Sequence, residues 1–467
     1  MSREEDLIRS TTHAIASTVR DVPPLQLEPA ADELSSPARG PRPARGGRRP
    51  RRWRNWIAPV ASAAVVAALA IALVIIKDVP NGGRVPASPS ASAPTGPGGI
   101  PRYYVAVSAV TGPAGSPNAL RVGDSLTGKT IATIRSSAHM SFESVMAADD
   151  DQTFVVYGLT RSGSAETGRW FKLRLAPGTA DPARLTPLPV EPVSVPLGQG
   201  SFPQYGIFAM ALSGSGRELA VAEVPSSAGG VTVKVFSLAT GRLLHDWTTD
   251  DPSISVPSTW TYDLVSPSAL TWTDGDQALA LTTTDKGASL GTGTETVRTL
   301  NVDGPPNGDL RADSKVSWTT PAAPQTATAG DTQLVACGIL LLDRVPPVIS
   351  ADGKTASCAA TSQASGTSAI RWTETFSTYR IGAGTTAADQ GTVAYQVTRQ
   401  ETASSGVSGG GEVLWVSPSG GTLIGVWGVA AANGSVPFHA GVISHGTFTP
   451  LRFPASYTLT NVRDIAW

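Results

Sequence analysis

The sequence predicts an all-β domain that follows a single membrane-spanning helix. Turn-forming residues are abundant, with 48 Gly and 37 Pro in 467 residues. From about residue 102 onward, short runs such as Val231–Phe236 alternate between apolar and polar side chains. Period-2 runs bounded by Gly and Asp are typical of β-strands joined by tight turns. One long apolar segment precedes this region and predicts the helix.

The apolar segment runs from Ile57 to Ile76 and contains no charged residue. Its 20 residues would span about 30 Å as a helix, which matches the hydrocarbon core of a bilayer. A cleaved signal peptide is the main alternative. The run is longer than a typical signal core, and the small-residue site at 91–93 lies far beyond its end. We therefore expect an uncleaved anchor.

Arginines on one flank of this segment predict its orientation. They cluster immediately before the apolar run, and the residues that carry the prediction are Arg48, Arg49, Arg51, Arg52 and Arg54. After the run, Lys77 and Asp78 cancel. Since positive charge stays on the cytoplasmic side, we expect the N terminus inside and the C-terminal domain outside the cell membrane. The rest of the chain is mildly acidic, so no nucleic-acid partner is expected.

Four parts follow one another along the chain. Residues 1–56 form a cytoplasmic tail, with a short helix predicted at about 2–22 and a disordered basic segment after it. Residues 57–76 are the membrane helix, which contacts lipid. Residues 77–100 form a linker rich in Pro, Gly and Ser, and residues 101–467 form the extracytoplasmic domain. The amphipathic stripe of the tail helix can dock on a cytoplasmic protein partner, or the helix forms only transiently.

A turn motif recurs through the C-terminal domain at intervals of 60 to 77 residues. Each copy has a small residue, a polar turn of three or four residues, and then a strand. The copies begin at Ala148, Ser213, Thr273, Ser350 and Ser417, and four of them contain a glycine that favours the turn, namely Gly216, Gly275, Gly353 and Gly420. A second motif, Thr-Gly followed by a basic residue, occurs at 127–129 and 240–242.

These motifs resemble the repeated turns of TolB-like and WD-repeat-like β-propellers. In that family the first turn joins the first two strands of each blade, and the Thr-Gly turn joins the last two. The sequence departs from the family pattern because only one copy keeps the proline, at Pro418, and no Trp-Asp dipeptide is present. Stacked blades around an axis would also bury both faces of each sheet, which a lone sheet cannot do.

The resemblance implies a propeller of six blades, with seven as the alternative. Five turns supply five blades, and the two ends of the chain supply one more. The last strand, at Val462–Trp467, resembles Ser268–Trp272 before an internal turn, and the first strand, Tyr103–Val107, resembles a strand after such a turn. We therefore expect both ends to share a blade that closes the ring. Extra strand-like runs at 331–350 and 391–400 favour seven, and an array of β-sandwiches is a further alternative.

The two cysteines, Cys337 and Cys358, both lie in the domain predicted to be outside the cytoplasm. In an oxidising compartment such a pair most simply forms one structural disulfide. Two unpaired buried thiols are the alternative.

Familiar catalytic and metal-binding motifs are not recognisable in the sequence. His439 and His445 have no acidic partner at a zinc-site spacing and are expected to be solvated. The acidic runs at 149–151 and 274–276 fall within the repeated turns, so we assign them to turn geometry rather than calcium. The glycines at 409–411 lack a P-loop lysine. The sequence thus predicts no enzyme, no cofactor and no metal site, with a hydrolase on the propeller scaffold as the remaining alternative.

These observations favour a membrane-anchored extracytoplasmic propeller that acts as a binding or scaffolding module. Its ligand would be a protein, a glycan or a small molecule. The alternative is a transmembrane signalling regulator whose cytoplasmic tail binds a partner such as a transcription factor.

Overall fold

The fold is taken from a computed structural model. The chain divides into two units, Met1–Gly83 and Arg84–Trp467, and the described residues all belong to the second. The structure describes residues 99–108, 117–162, 165–190, 193–195, 206–224, 230–250, 269–284, 295–319, 331–332, 347–365, 369–382, 391–402, 409–429, 439–454 and 462–467.

Several predictions concern residues outside these ranges. They include the tail, the apolar segment 57–76 with its flanking arginines, and the linker up to residue 98. Within the described ranges, no helix combines the length and the apolar character that crossing a membrane requires. The membrane anchor and its orientation therefore stay predictions.

Antiparallel sheets make up almost all of the described structure, and each sheet is one blade of a propeller. In the first three blades the strands run in the following order. Blade 1 contains β27 (Val462–Ala466), β1 (Tyr103–Ser108), β2 (Ala119–Asp124) and β3 (Thr130–Arg135); blade 2 contains β4 (Met140–Ala147), β5 (Thr153–Ser162), β6 (Ala165–Leu175) and β7 (Ala183–Pro187), with β8 (Val193–Val195) beside β6; blade 3 contains β9 (Gly206–Leu212), β10 (Glu218–Val224), β11 (Val231–Ser237) and β12 (Leu243–Thr249).

The other three blades repeat this plan with local additions. Blade 4 contains β13 (Leu270–Thr273), β14 (Ala278–Thr284), β15 (Glu295–Asn301) and β17 (Ser314–Thr319); blade 5 contains β18 (Asp331–Thr332) and β19 (Val348–Ile349) at one edge, then β20 (Thr355–Ser365), β21 (Ala369–Arg380) and β22 (Thr392–Thr402); blade 6 contains β23 (Gly409–Val416), β24 (Thr422–Val429), β25 (His439–Ser444) and β26 (Thr447–Pro450). A short strand, β16 (Asn307–Asp309), pairs in parallel with β12, and one helical turn, α1 (Leu310–Asp313), follows it.

The two ends of the domain close the ring within blade 1, as the sequence predicts. Strand β27 pairs with β1, with Val105 opposite Ala466 and Ala106 opposite Ile465. The C-terminal strand thus provides the inner edge of blade 1, and the N-terminal part of the domain provides the other three strands. At the end of the chain, the indole N–H of Trp467 also donates to the Ser125 hydroxyl, 3.1 Å away.

Six blades are observed, and the seven-blade alternative is wrong. The extra strand-like runs that favoured a seventh blade are parts of blade 5, where residues 392–402 form its outer strand β22 and residues 331–332 and 348–349 form its inner edge. Blade 5 is long because three of its strands have 11 or 12 residues.

Apolar clusters fill the spaces between consecutive blades. Alternation along each strand sends apolar side chains to both faces, where the adjacent blades cover them. Between blades 2 and 3, for example, Val155 and Trp170 pack with Met210 and Leu219. One such cluster lies at every blade-to-blade contact around the ring. This is the burial that stacked sheets were expected to achieve.

The repeated turns join the first two strands of blades 2 to 6, as predicted. The third residue after each opening small residue has a positive φ, which favours glycine and tolerates aspartate. These residues are Asp151, Gly216, Asp276, Gly353 and Gly420. The Thr-Gly turns likewise join β2 to β3 and β11 to β12, with Gly128 and Gly241 at φ 70°.

The two aspartates at the positive-φ position link neighbouring blades. Asp151 accepts hydrogen bonds from the backbone amides of Arg102 and Tyr103 in blade 1, at 2.8 and 2.9 Å. Asp276 accepts from the amides of Gly214 and Ser215 in blade 3, at 2.7 and 2.9 Å. The acidic runs are therefore structural, which confirms their assignment to turn geometry.

Candidate binding site between blades 5 and 6

The long strands of blade 5 place a carboxyl group on an otherwise apolar face. Trp372, Glu374 and Phe376 alternate along β21 and so point to the same side of the sheet. Phe376 packs into the apolar cluster shared with blade 6. Glu374 therefore faces the space between blades 5 and 6, where its side chain is only 3% exposed.

Glu374 has one hydrogen-bonded oxygen and one without a partner. Thr361, which lies directly opposite on β20, donates its hydroxyl to Oε2 at 2.7 Å. Oε1 is buried and has no hydrogen-bond partner among the described residues. Burial raises the pKa of Glu374 to about 7, and the hydrogen bond from Thr361 opposes this increase. Near neutral pH the carboxyl group therefore exists in both protonation states.

Blade 6 makes room for this carboxyl group with a glycine. A Cβ atom on Gly411 would lie 2.9 Å from Glu374 Oε2 and 3.4 Å from the Cβ of Ala359. Gly411 pairs with Trp427 across β23 and β24, so both residues face blade 5. The glycine run 409–411, which lacks the features of a phosphate loop, thus allows close approach of the two blades at Glu374.

Trp427 is enclosed by two other side chains. The His439 ring stacks on the indole with centroids 4.1 Å apart and an angle of 17°. The guanidinium carbon of Arg399 lies 4.2 Å from the same centroid. Two groups this close cannot share a face of the ring, so Arg399 and His439 cover opposite faces. Burial and the neighbouring Arg399 lower the pKa of His439, which favours its neutral form.

Two indole N–H groups accompany the free carboxyl oxygen. Nε1 of Trp372 and Nε1 of Trp427 are buried and have no hydrogen-bond partner among the described residues. Their residues are 1% and 4% exposed. We call the facing surfaces formed by Thr361, Trp372, Glu374, Gly411 and Trp427 the blade 5/6 cleft. These surfaces carry two N–H donors and one carboxyl oxygen that have no hydrogen-bond partner among the described residues.

The cleft lies in the half of the ring opposite the repeated turns. The turn at 350–354 precedes β20, and the turn at 417–421 follows β23. Trp372 is near the start of β21, Gly411 is near the start of β23 and Trp427 is near the end of β24, so all three are far from those turns. Buried donors and acceptors usually find a partner, so three without one on these facing blades make this region the candidate binding site.

A second group of polar side chains lies on the inner strands of blades 1, 2 and 6. Asp464 on β27 accepts hydrogen bonds from the Ser144 hydroxyl and, at 2.8 Å, from the amide of Val145. Burial, and then the charge of Asp464, raises the pKa of Glu412 to about 7. Glu143 accepts from the hydroxyl of Ser141. We call Glu412 and Asp464 the axial carboxyl pair.

The residues selected from the sequence have mostly structural roles. The repeated turns form blade connections, and none of their residues is part of the cleft. Cys358 is buried in β20, and no free cysteine occurs among the described residues. Cys337 lies outside those residues, so the disulfide stays a prediction. The expectation of a solvated His439 is wrong, because its ring is half-buried against Trp427.

The cleft residues were missed because their partners are distant in sequence. Thr361, Glu374, Arg399 and Trp427 come together only through strand pairing and blade stacking. One local signal was present. The run from Trp372 to Phe376 alternates in period 2 with a glutamate on the apolar side, and a carboxyl group at such a position requires compensation or has a function.

Comparisons with known proteins concern architecture only. No protein-family model matches the chain, and no curated protein matches it at a significant level. Among solved structures, the propeller domain of the Trilobed protease from Pyrococcus furiosus is 7% identical, with a TM-score of 0.34, over 74% of this chain and 80% of that one. The periplasmic gluconolactonase of Pseudomonas aeruginosa is 14% identical, with a TM-score of 0.34, over 76% and 97%. Oligogalacturonate lyase from Vibrio parahaemolyticus is 9% identical, with a TM-score of 0.29, over 73% and 72%.

These matches contradict the expectation that the chain is not an enzyme. A gluconolactonase, prolyl endopeptidases, an oligogalacturonate lyase and a putative dipeptidyl aminopeptidase are among the matched structures, so this architecture does not exclude catalysis. The expectation relied on linear motifs, which is the physical reason for its failure. In a ring of blades, polar groups from distant segments meet, as Glu412 and Asp464 do. At this level of similarity the matches assign no activity to the chain.

Proposed function

We propose that this protein is a membrane-anchored, extracytoplasmic propeller that binds a small ligand in the blade 5/6 cleft. The observation that carries the proposal is the group of three buried polar atoms without partners: Nε1 of Trp372, Oε1 of Glu374 and Nε1 of Trp427. Leaving such atoms unpaired costs about 1–3 kcal/mol each. A ligand that pairs with them would recover that cost on binding.

The anchor and the compartment are supported by the sequence alone. The apolar run 57–76 and the arginines before it favour an N terminus in the cytoplasm. In that arrangement the six-bladed ring lies outside, connected through the linker 77–100. The cleft would then be available to molecules outside the cytoplasm.

A thermal-shift screen of the full chain against a library of small metabolites tests the binding proposal. The cleft is blocked in Gly411→Val, because a Cβ at that position meets Glu374 and Ala359. Gly382→Val is the matched control, since a Cβ at Gly382 has no atom within 4 Å. We expect compounds that stabilise the wild type and the control but not the blocked variant. Stabilisation that all three proteins share, or none by any compound, would contradict binding in the cleft.

A second variant covers the outcome in which Gly411→Val fails to fold. Trp427→Phe keeps an aromatic ring between Arg399 and His439 but removes the indole N–H. We expect it to fold and to reduce the stabilisation by each cleft ligand. Full stabilisation of Trp427→Phe would show that this N–H plays no part in binding.

An enzyme is the second candidate, and the axial carboxyl pair is the observation that favours it. Glu412, with a pKa raised to about 7, could donate a proton to a bound substrate. The test is turnover of chromogenic ester, peptide and glycoside substrates by the full chain. This candidate requires activity that Glu412→Gln abolishes and Glu374→Gln retains. Activity insensitive to Glu412→Gln, or none with any of the three substrates, would remove its support.

A further inference from the structure

The repeated turns fasten each blade to the blade before it. A Cβ on Gly353 of blade 5 would lie 3.4 Å from the Cβ of Thr273 in blade 4, and one on Gly420 of blade 6 would lie 2.6 Å from the Cβ of Thr355 in blade 5. Backbone hydrogen bonds of 2.8 to 3.2 Å also join consecutive turns, from Asp149 to Gly214, from Asp274 to Ala351 and from Asp352 to Pro418. These contacts hold neighbouring blades together on one side of the ring.

Blade 1 is built without such a turn. Its two inner strands, β27 and β1, come from the two ends of the domain, so no turn between them packs on blade 6. Blades 6 and 1 meet through an apolar cluster that includes Ile424, Tyr104 and Trp467, with the Phe453 ring 5.0 Å from that of Tyr104. We call this contact the closing junction and expect the ring to open there first, since local opening begins where few links must break.

Alternation along β23 places Glu412 in the closing junction. Gly411 faces blade 5, where a Cβ on it would meet Glu374, so the next residue, Glu412, faces blade 1. Leu414, further along β23, packs on the apolar cluster of this junction. Val426, the cross-strand partner of Glu412, is buried. A carboxylate in these apolar surroundings is costly, whereas a neutral carboxyl group is tolerated.

Asp464 brings a second carboxyl group to the same region from β27. Its hydrogen bonds with blade 2 keep it in place, and its charge adds to burial in raising the pKa of Glu412 to about 7. Two other ionisable groups lie near: Tyr104 belongs to the apolar cluster of the closing junction, and Glu374 lies on the blade 5 side of β23. The sequence also places Arg463 on β27, with its side chain outside the described part.

We propose that β27 detaches reversibly from the ring at the closing junction, and that a negative charge on Glu412 favours this detachment. When β27 leaves, water reaches Glu412 and Asp464 moves away, so the charged form of Glu412 loses both of its penalties. The neutral form gains nothing comparable. Since the folded-state pKa of Glu412 is raised, the ring is closed most firmly at acidic pH and opens more often as the pH rises through 7. This conformational switch is separate from the proposed binding function.

Hydrogen exchange of the full chain, followed by mass spectrometry of peptides, tests the proposal without any variant. Peptides from β27 are compared with peptides from β10, a central strand of blade 3. On opening, the pKa of Glu412 returns from about 7 to its ordinary 4.5, so the opening constant of β27 should rise about a hundredfold between pH 4.5 and pH 8. This increase comes in addition to the base catalysis that all amides share. Opening constants of β27 and β10 that change together at every pH would overturn the proposal.

Two glutamine variants assign the pH dependence to a residue. Glu412→Gln should lack the additional increase in exchange of β27. Glu374→Gln is the matched control, because Glu374 is also buried with a pKa of about 7 but faces blade 5, and it should keep the increase. An increase that persists in Glu412→Gln, or disappears in Glu374→Gln, would refute the role of Glu412. The wild-type comparison remains decisive if Glu412→Gln does not fold.

Asp464→Asn tests the coupling within the axial carboxyl pair. The substitution removes the charge that helps to raise the pKa of Glu412 and keeps an oxygen that can accept from the amide of Val145. We expect the midpoint of the pH dependence of β27 exchange to move to lower pH. A purely structural role of Asp464 would increase exchange at every pH and leave the midpoint where it is, which would refute the electrostatic coupling.

Discussion

Replacement of Glu374 by glutamine should remove a large pH dependence of stability. The perturbation exchanges a buried carboxyl group for a neutral amide of nearly the same shape. In the folded protein the pKa of Glu374 is about 7, against an ordinary value of 4.5, because its side chain is buried and one oxygen has no partner. The folded state therefore keeps a proton that the unfolded chain releases.

The sign and the size of the effect follow from that difference. With a raised pKa in the folded state, the stability contributed by Glu374 is fully present below pH 4.5 and is lost as the pH rises to 7. One pKa unit corresponds to about 1.4 kcal/mol, so the difference between 7 and 4.5 amounts to about 3 kcal/mol. Glu374→Gln should lack this loss, and its stability relative to the wild type should improve by about 3 kcal/mol between pH 4.5 and pH 8.

Urea unfolding of both proteins across this pH range, followed by tryptophan fluorescence, measures the difference. Other groups with raised pKa values, such as Asp151 and Glu412, titrate in both proteins and cancel. Thr361→Val is a second probe, since losing the hydrogen bond to the carboxylate should raise the pKa of Glu374 further and steepen the loss. A constant stability difference between wild type and Glu374→Gln at every pH would refute the account of a buried, underpaired carboxyl group.

Three further predictions concern the ring itself. Asp276→Gly keeps the positive φ but removes two hydrogen bonds to blade 3, so it should lower the free energy of unfolding by about 1–2 kcal/mol. The free energy of unfolding of Asp276→Asn should lie between those of the wild type and Asp276→Gly. Equal melting temperatures for all three proteins would show that the link between the blades contributes nothing. Deleting residues 462–467 removes the inner strand of blade 1 and should abolish cooperative thermal unfolding. Trp467→Phe, which loses only the hydrogen bond to Ser125, should still unfold cooperatively. A cooperative transition in the deletion variant would contradict closure of the ring by β27. Thiol titration of the denatured chain should detect no reactive cysteine before reduction and two afterwards, and two thiols without reductant would rule out the Cys337–Cys358 bridge.

The blade plan could be predicted from sequence because it depends on local signals. A turn that needs a residue with positive φ selects Gly or Asp at a fixed position, as at Gly353 and Asp276, and this selection repeats in blades 2 to 6. Ring closure was also predictable, since the terminal runs look like the two halves of one such repeat. Because the strands carry apolar side chains on both faces of each sheet, those side chains become buried between adjacent blades.

The candidate site could not be predicted because it depends on which strands become neighbours. Alternation places Glu374 on the same face as Trp372, but only blade stacking brings that face against Gly411 and Trp427. The register between β21 and β22 likewise sets Arg399 opposite Trp372 and within reach of the Trp427 ring. Those relations are long-range, and no motif of adjacent residues encodes them.

Everything proposed about ligands assumes that the propeller lies outside the cytoplasm, and cysteine labelling in intact cells tests this most directly. Val316 on β17 is 54% exposed, so Val316→Cys provides a reactive thiol on the ring, and Ser10→Cys provides one on the tail. A membrane-impermeant maleimide should label Val316→Cys in intact cells and Ser10→Cys only after permeabilisation. Labelling of the tail cysteine alone in intact cells would contradict the account.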